Sequence, residues 1–211
     1  NLFSLYEKAH TPWDWIEELV FICKKNNLPW FASPFDDQAV DFLEKLDCPG
    51  YKIASPEITD IGLINKILKT QKPIVISTGV ATLDDLDLAI NTIKKQHQNF
   101  AILKCTSAYP APFQDLNLSA IKFLQRRYNC KVGYSDHSIG ETASISAVAL
   151  GAQIIEKHFK IDEEGLDAKF SLNPNEFKKC VVECTNAKKA IGKNYLGVVN
   201  SEKNNLKYRR S

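Results

Sequence analysis

The sequence predicts an α/β fold, a (β/α)8 barrel in which parallel strands alternate with helices. First, short apolar runs that lack the strict alternation of half-exposed strands alternate with amphipathic stretches over short links. Second, polar and reactive side chains stand at the same end of every apolar run. In a barrel, that end of the strands surrounds one ligand. A doubly wound sheet would also accept six strands, but it would spread these side chains along a flat edge.

Six apolar runs are predicted to be strands. One predicted helix lies between each run and the next, one precedes the first run and one follows the last. The strands are 29–35, 51–55, 73–78, 100–106, 131–135 and 153–159. The helices are 12–26, 36–46, 61–69, one capped by Thr82, one with the apolar face Leu118, Ile121 and Leu124, 144–150, and one opened by Asn173, Pro174 and Glu176. Because strands joined through helices pair in parallel, the predicted sheet is parallel.

The composition narrows the classes of partner and compartment. The balance of 27 Lys and Arg against 25 Asp and Glu predicts neither nucleic acid nor a membrane surface as a partner. No apolar run approaches the ~20 residues of a membrane-spanning helix. The six cysteines stand singly, several within apolar runs, which is typical of free thiols in a reducing cytoplasm. The chain contains no methionine, so we expect it to be part of a longer protein.

The residues that end the strands form a ring of reactive side chains. They are Ser33, Ser55 with Glu57, Ser77 with Thr78, Thr106 with Ser107, Ser135 with Asp136 and His137, and Glu156 with His158. The hydroxyls, together with Lys52, suit a phosphate or carboxylate ligand. His137 and His158 end neighbouring strands, which lie about 4.8 Å apart, so their imidazoles are candidates to share one divalent cation.

Three carboxylates, Glu57, Asp136 and Asp167, are candidates for binding sugar hydroxyls or moving protons. Each ring member also has a simpler interpretation. A single serine at a strand end is usually turn chemistry, Lys52 alone would be expected to reach solvent, and a lone histidine in an apolar strand is more often a hydrogen-bonded core residue. The ring as a whole therefore indicates a binding site more strongly than any one member does.

The ring residues fall within motifs that occur in a characteristic order and spacing. The motifs are SPFD (33–36), YKIASPE (51–57), PIVISTG (73–79), LKCTSAYP (103–110), GYSDHS (133–138), ALGAQIIEKHF (149–159) and FSLNP (170–174). Over essentially the whole chain they resemble the sialic acid (nonulosonic acid) synthases. By this resemblance the six strands are the third to eighth of the barrel. Residues 1–195 would form a partial catalytic barrel and 196–211 a linker, with two strands and most of a C-terminal antifreeze-like (SAF) domain absent from the chain.

The resemblance implies a role for each ring residue. His137 and His158 would bind a divalent metal, Mn²⁺ or Mg²⁺. The predicted phosphoenolpyruvate site comprises Lys52, Ser55, Ser77, Ser135, the nearby Ser33, and Ser107, which stands where bacterial neuraminate synthases have Asn. The predicted sugar-side residues are Glu57, Tyr109 and Asp167, and the predicted catalytic residues are Glu57, Lys52 and Asp136.

The implied activity is condensation of phosphoenolpyruvate with an N-acetylated amino sugar, with release of phosphate by C–O cleavage. The resemblance also implies that the full-length protein is cytoplasmic and forms a domain-swapped homodimer. The segments LYEKAHTPWDW (5–15), KIASPE (52–57) and KCTSAYP (104–110) resemble the pseudaminic acid branch most. The acceptor of that branch is a 2,4-diacetamido-2,4,6-trideoxy hexose. The neuraminate and legionaminate branches share most motifs and stay open.

Two interpretations from outside the family also stay open at this stage. The first is a non-catalytic barrel that binds a sugar or phosphate. The second is another barrel enzyme, such as an aldolase that forms a Schiff base through Lys52 or Lys157.

Overall fold

The computed structural model describes residues 10–210, and within them helices and strands alternate much as the periodicity predicts. The strands are β1 (Tyr51–Ile53), β2 (Ile74–Ser77), β3 (Phe100–Cys105), β4 (Lys131–Asp136) and β5 (Ile155–Lys157). The helices are α1 (Trp13–Lys25), α2 (Asp37–Lys45), α3 (Ile61–Leu68), α4 (Leu83–Gln96), α5 (Ala120–Tyr128), α6 (Thr142–Ala149) and α7 (Pro174–Ile191). Residues 5–9 of the LYEKAHTPWDW motif lie outside the described residues.

The five strands form one parallel sheet in the order β1-β2-β3-β4-β5. Each strand is paired with its neighbour in sequence, as in a series of consecutive βαβ units. The predicted strand 29–35 lies beside β1 but pairs only through one parallel bridge, between Ala32 and Tyr51. Pro29 and Pro34 have no amide hydrogen to donate, so this segment is unable to form a longer ladder.

The helix starts follow the predicted capping chemistry. The Thr82 hydroxyl accepts from the Asp85 amide, and the Asp85 carboxylate accepts from the Thr82 amide, so a complete capping box opens α4. Asn173 and Glu176 form the same box at the start of α7, with Pro174 in the first turn. These caps fix where each helix leaves the strand-end loops that carry the ring.

The sheet is strongly curved. The Lys52 ammonium on β1 lies 3.5 Å from the Glu156 carboxylate on β5. In a flat sheet, strands four spacings apart would be separated by roughly 19 Å, a distance that two side chains do not span. The contact therefore requires a half-barrel, with Lys52 and Glu156 on its concave face.

The core lies between the sheet and the helices. Isoleucines are prominent in it: Ile53, Ile76 and Ile102 on the strands and Ile64, Ile67 and Ile90 on the helices are fully buried. Residues 196–210 are exposed throughout and include a 3₁₀ segment at Asn200–Tyr208. None of the helices between residues 10 and 210 has the length and apolar character needed to cross a bilayer.

Candidate active site

Period-two alternation along the strands places three chemically complementary side chains on the concave face. The Ser135 hydroxyl donates to Glu156 Oε1 at 2.6 Å, and Lys52 Nζ lies 3.5 Å from the same oxygen. Ser135 and Glu156 are register partners on β4 and β5, so their side chains leave the sheet on the same side. Glu156 thus joins a cation and a hydroxyl donor that would otherwise face an open concavity.

Two further hydroxyls converge at Gly79, immediately after β2. The Gly79 amide donates to Ser55 Oγ at 3.0 Å. A Cβ atom at this position would lie 2.0 Å from Ser107 Oγ and 2.7 Å from Ser55 Oγ. Only glycine therefore leaves room for both hydroxyls. The backbone of PIVISTG and the serines of two neighbouring motifs form one polar pocket.

Two buried oxygens beside this pocket have no hydrogen-bond partner within residues 10–210. They are Ser77 Oγ and Glu57 Oε2. Buried polar atoms are almost always satisfied, so an orphaned pair at the strand ends indicates a place that a polar ligand completes. Burial also raises the pKa of Glu57, more than nearby Lys52 lowers it, which favours a carboxyl group able to hold or give up a proton.

The two candidate metal-binding imidazoles lie side by side. The ring centroids of His137 and His158 are 5.2 Å apart. His137 Nδ1 lies 3.0 Å from the Thr106 carbonyl oxygen, and His158 Nδ1 lies 3.0 Å from Asp167 Oδ2. When Nδ1 of a histidine donates to a carbonyl or carboxylate, Nε2 is the nitrogen left to bind a metal.

Aromatic rings enclose the imidazoles on one side. The Tyr109 ring lies 4.5 Å from His137, and the Phe170 ring lies 4.9 Å from His158, centroid to centroid. Phe170 is buried, whereas Tyr109 is exposed. Asp167 also lines an open groove of about 540 Å³ formed by residues 159–171, so the loop that orients His158 borders a space large enough for a sugar.

The ionisation of these groups depends on their burial. Burial lowers the pKa of His158, an effect that Asp167 only partly offsets, so the neutral, ligating form is favoured at neutral pH. Burial also opposes ionisation of the Cys105 thiol. The contacts of that thiol with His137, 3.8 Å away, and with Ser55 and Ser107 outweigh burial and lower its pKa to about 7.

The side-chain atoms available as ligands determine whether this site suits a metal ion. Within residues 10–210, no cluster of three or more His, Cys, Asp or Glu side chains is arranged to hold an ion. The two imidazoles alone, each oriented by an oxygen acceptor at Nδ1, fit a cation that takes the rest of its ligands from substrate or water.

Two of the predicted site residues have other contacts. The Asp136 carboxylate is completely buried and accepts hydrogen bonds from Ser138 and Ser144. Because strand residues alternate, Asp136 faces away from the concave side that Ser135 faces. Its contacts therefore give no support to a direct catalytic role. The Ser33 hydroxyl donates to the Lys52 carbonyl at 3.0 Å, so it anchors β1 close to the site.

The remaining predicted residues come together at one edge of the half-barrel, and the structure adds three that received no role from the sequence. These are Glu156, Cys105 and Phe170. Glu156 belongs to the predicted ring, two residues before His158, but neither its position nor the resemblance assigned it a role. Cys105 and Phe170 lie in apolar sequence, where nothing distinguishes a residue of the core from one that contacts the site.

A curved parallel sheet with hydroxyl, ammonium and imidazole side chains gathered at its carboxyl edge is the arrangement of barrel enzymes. The chain belongs to the NeuB family, whose family model matches residues 1–195. It is 43% identical over 195 residues to a pseudaminic acid synthase of Helicobacter pylori, which covers 91% of this chain and 57% of that protein. It is 40% identical over 204 residues to an N,N'-diacetyllegionaminic acid synthase of Campylobacter jejuni, which covers 94% of this chain and 59% of that protein.

Among solved structures, the chain resembles an N-acetylneuraminic acid (sialic acid) synthetase of Leptospira borgpetersenii in complex with citrate. The TM-score is 0.90 and the identity 34%, over 98% of this chain and 73% of that one. This likeness confirms the α/β fold with a curled parallel sheet. The chain spans less than two thirds of the length of the two curated relatives above.

Proposed function

We propose that the full-length gene product containing this chain condenses phosphoenolpyruvate with a 2,4-diacetamido-2,4,6-trideoxy hexose, consumes one water, and forms a nonulosonic acid and phosphate. The observation that carries this proposal is the convergence of an anion pocket and two paired imidazoles on one concave face. The similarity to a pseudaminic acid synthase, at 43% identity, supports the choice of acceptor.

Phosphoenolpyruvate carries a phosphate and a carboxylate, and the pocket offers donors for both. Lys52 and Ser135 hold one oxyanion, and they exchange their contact with Glu156 for it. Ser77, whose buried hydroxyl lacks a partner among the described residues, together with Ser55 and Ser107 beside Gly79, holds the other. Ser55, Ser77 and Ser107 are in place before the substrate arrives, so these three donors stabilise charge on the oxyanion they hold with little reorganisation.

The acceptor sugar binds next to the imidazoles. Tyr109 and Asp167 contact His137 and His158 respectively, and Asp167 also borders the groove of residues 159–171. Glu57, with its raised pKa and free buried oxygen, is placed to move a proton between the sugar and water.

His137 and His158 hold the divalent cation, Mn²⁺ or Mg²⁺, and Cys105 and the Thr106 carbonyl set the orientation of the first ring. When bound, the cation supplies Lewis-acid polarisation of the sugar aldehyde, which prepares that carbon for attack by phosphoenolpyruvate. The chain's own contribution is to keep both Nδ1 atoms in contact with oxygen acceptors, which leaves both Nε2 atoms available to the cation.

The half-barrel belongs to a closed eight-stranded barrel, and residues 196–211 link it to a further domain. The lengths of the relatives support this, because the chain spans 57% and 59% of two of them. The protein acts in the cytoplasm as a domain-swapped homodimer, with no nucleic acid or membrane as partner.

Three alternative functions can be compared with this proposal: another acceptor sugar, a Schiff-base aldolase and a non-catalytic binder. The legionaminate branch, at 40% identity, would use the same site with another acceptor. An aldolase that forms a Schiff base is not favoured, because Lys157 is buried in contact with Asp136, while Lys52 is held by Glu156. A non-catalytic binder would have no need of paired imidazoles beside an anion pocket.

Phosphate release by the full-length gene product tests the proposal. The protein would receive phosphoenolpyruvate and Mn²⁺ with N-acetylmannosamine or with either of two diacetamido-trideoxy hexoses, in the presence and absence of a chelator. We expect release that requires both a diacetamido hexose and the metal. Release with N-acetylmannosamine alone would indicate the neuraminate branch, and no release with any sugar would favour the binder.

A further inference from the structure

A buried ion pair lies behind the two imidazoles, on the side of the sheet that faces the helices. Lys157 Nζ lies 3.3 Å from Asp136 Oδ2, and the two side chains are 1% and 0% exposed. Asp136 and Lys157 are also register partners, directly opposite each other on β4 and β5. The pair therefore joins the last paired positions of these two strands.

Each member of this pair immediately precedes one of the imidazoles in sequence: Asp136 precedes His137 and Lys157 precedes His158. The residue after His137 is held by both members of the pair. The Ser138 amide and hydroxyl donate to Asp136 Oδ1 at 2.8 and 2.7 Å, and the Ser138 carbonyl accepts from Lys157 Nζ. The backbone on both sides of His137 is thus fixed by one buried network.

The network extends beyond the strand ends. Ser144, on α6, donates to Asp136 Oδ2 at 2.7 Å, and the Tyr134 hydroxyl lies 3.4 Å from Oδ1. The carboxylate therefore has donors around both oxygens, the condition under which a buried charge is tolerated.

A buried ion pair is a weak device for stability, because apolar residues of the same volume usually serve as well, and its best-attested use is to fix register. Register matters here more than elsewhere in the sheet. A slip of one residue by β5 against β4 would turn the side chains of β5 to the opposite face and separate the two imidazoles.

We propose that Asp136 and Lys157 are positioning residues that lock β4 against β5 and so hold His137 and His158 at the separation required to share one divalent cation. This inference rests on the proposed function for the cation itself. It gives Asp136 a role through His137 rather than through substrate.

The test is the affinity of the full-length gene product for Mn²⁺ alone, measured by calorimetry and by the electron paramagnetic resonance signal of free Mn²⁺. The variants are Lys157→Met and Asp136→Asn, studied at a temperature at which circular dichroism shows them folded. We expect Kd to rise about 10- to 100-fold, the range found when groups that orient metal ligands are removed. The double variant should lose little more than either single variant, because both remove the same contact.

The matched control is Glu44→Gln, which breaks the ion pair between Glu44 and Lys72 elsewhere in the domain. It should lower the melting temperature and leave the Mn²⁺ affinity unchanged. If either Asp136→Asn or Lys157→Met fails to fold, Ser144→Ala removes one hydrogen bond from Asp136 and should still raise Kd several-fold.

The outcomes separate this inference from the proposed function. If the wild type binds Mn²⁺ and the folded variants bind it equally well, the positioning role is wrong and the metal site stands. If the wild type binds no Mn²⁺, the metal assignment fails and the positioning role is overturned with it. A uniform loss that Glu44→Gln reproduces would mean that the pair acts only on global stability.

Discussion

Lys52 Nζ lies 3.5 Å from Glu156 Oε1, although the two residues belong to the first and last strands of the sheet. This contact has two consequences. It requires the sheet to curl, and it places a carboxylate where the substrate's oxyanion is expected to bind. The ammonium and the Ser135 hydroxyl thus contact an anion supplied by the chain itself.

Replacing Lys52 with Met should weaken phosphoenolpyruvate binding without affecting the metal. Hydrogen bonds to charged groups contribute about 1.5–3 kcal/mol, so we expect KM for phosphoenolpyruvate to rise roughly 10- to 100-fold. Steady-state kinetics and Mn²⁺ titration check both halves of this prediction. The control is Lys72→Met, which removes a lysine paired with Glu44 instead. An unchanged KM in Lys52→Met would remove this residue from the anion site.

Replacing Glu156 with Gln should tighten the binding of inorganic phosphate to the free protein. The carboxylate occupies the donors that an incoming anion needs and repels that anion, whereas an amide keeps the shape and loses the charge. We expect Kd for phosphate, measured by calorimetry, to fall several-fold and the effect to shrink at high salt. Weaker binding would mean that Glu156 mainly orients Lys52 and Ser135.

Replacing His137 with Ala should abolish metal-dependent activity and leave the fold intact. The His137 and His158 ring centroids are 5.2 Å apart, and the substitution removes one of the two imidazoles proposed to bind the cation. Phosphate release and circular dichroism measure the two properties. His97→Ala is the matched control, because that half-buried histidine caps the end of α4 and is not a member of the ring. Normal turnover in His137→Ala would contradict the metal assignment.

Replacing Gly79 with Ala should disrupt the pocket, because the added methyl group takes space that the serine hydroxyls occupy. The added Cβ would lie 2.0 Å from Ser107 Oγ, well inside contact distance, so a serine or the backbone must move. We expect phosphoenolpyruvate affinity to fall by at least tenfold with a small change in melting temperature. Gly165→Ala adds the same methyl group to open space and should change neither. Equal affinities for the two variants would show that the pocket adapts freely.

Local chemistry determined the elements that could be predicted from the sequence. The caps at Thr82 and Asn173, the alternation of strands and helices, and the parallel pairing all follow from short-range patterns, and the structure confirms them. The predicted strand 29–35 is an exception. Its apolar residues fit a strand, but two prolines limit it to one bridge.

The site itself could be predicted by residue type but not by orientation. Ser135, His137 and His158 were identified because they end apolar runs. Asp136 was grouped with them, although one step along a strand turns its side chain to the other face. The exact strand ends and the curvature decide which residue faces inward, and both depend on long-range packing that a single sequence does not state.

The most direct test of the central claim uses phosphoenolpyruvate labelled with oxygen-18 at the bridging position between C2 and phosphorus. The full-length gene product would be supplied with Mn²⁺ and the preferred diacetamido hexose, and the released phosphate analysed by mass spectrometry. Condensation with C–O cleavage predicts that all of the label leaves with phosphate. Label retained in the organic product would mean that the P–O bond breaks instead, and it would contradict the proposed reaction.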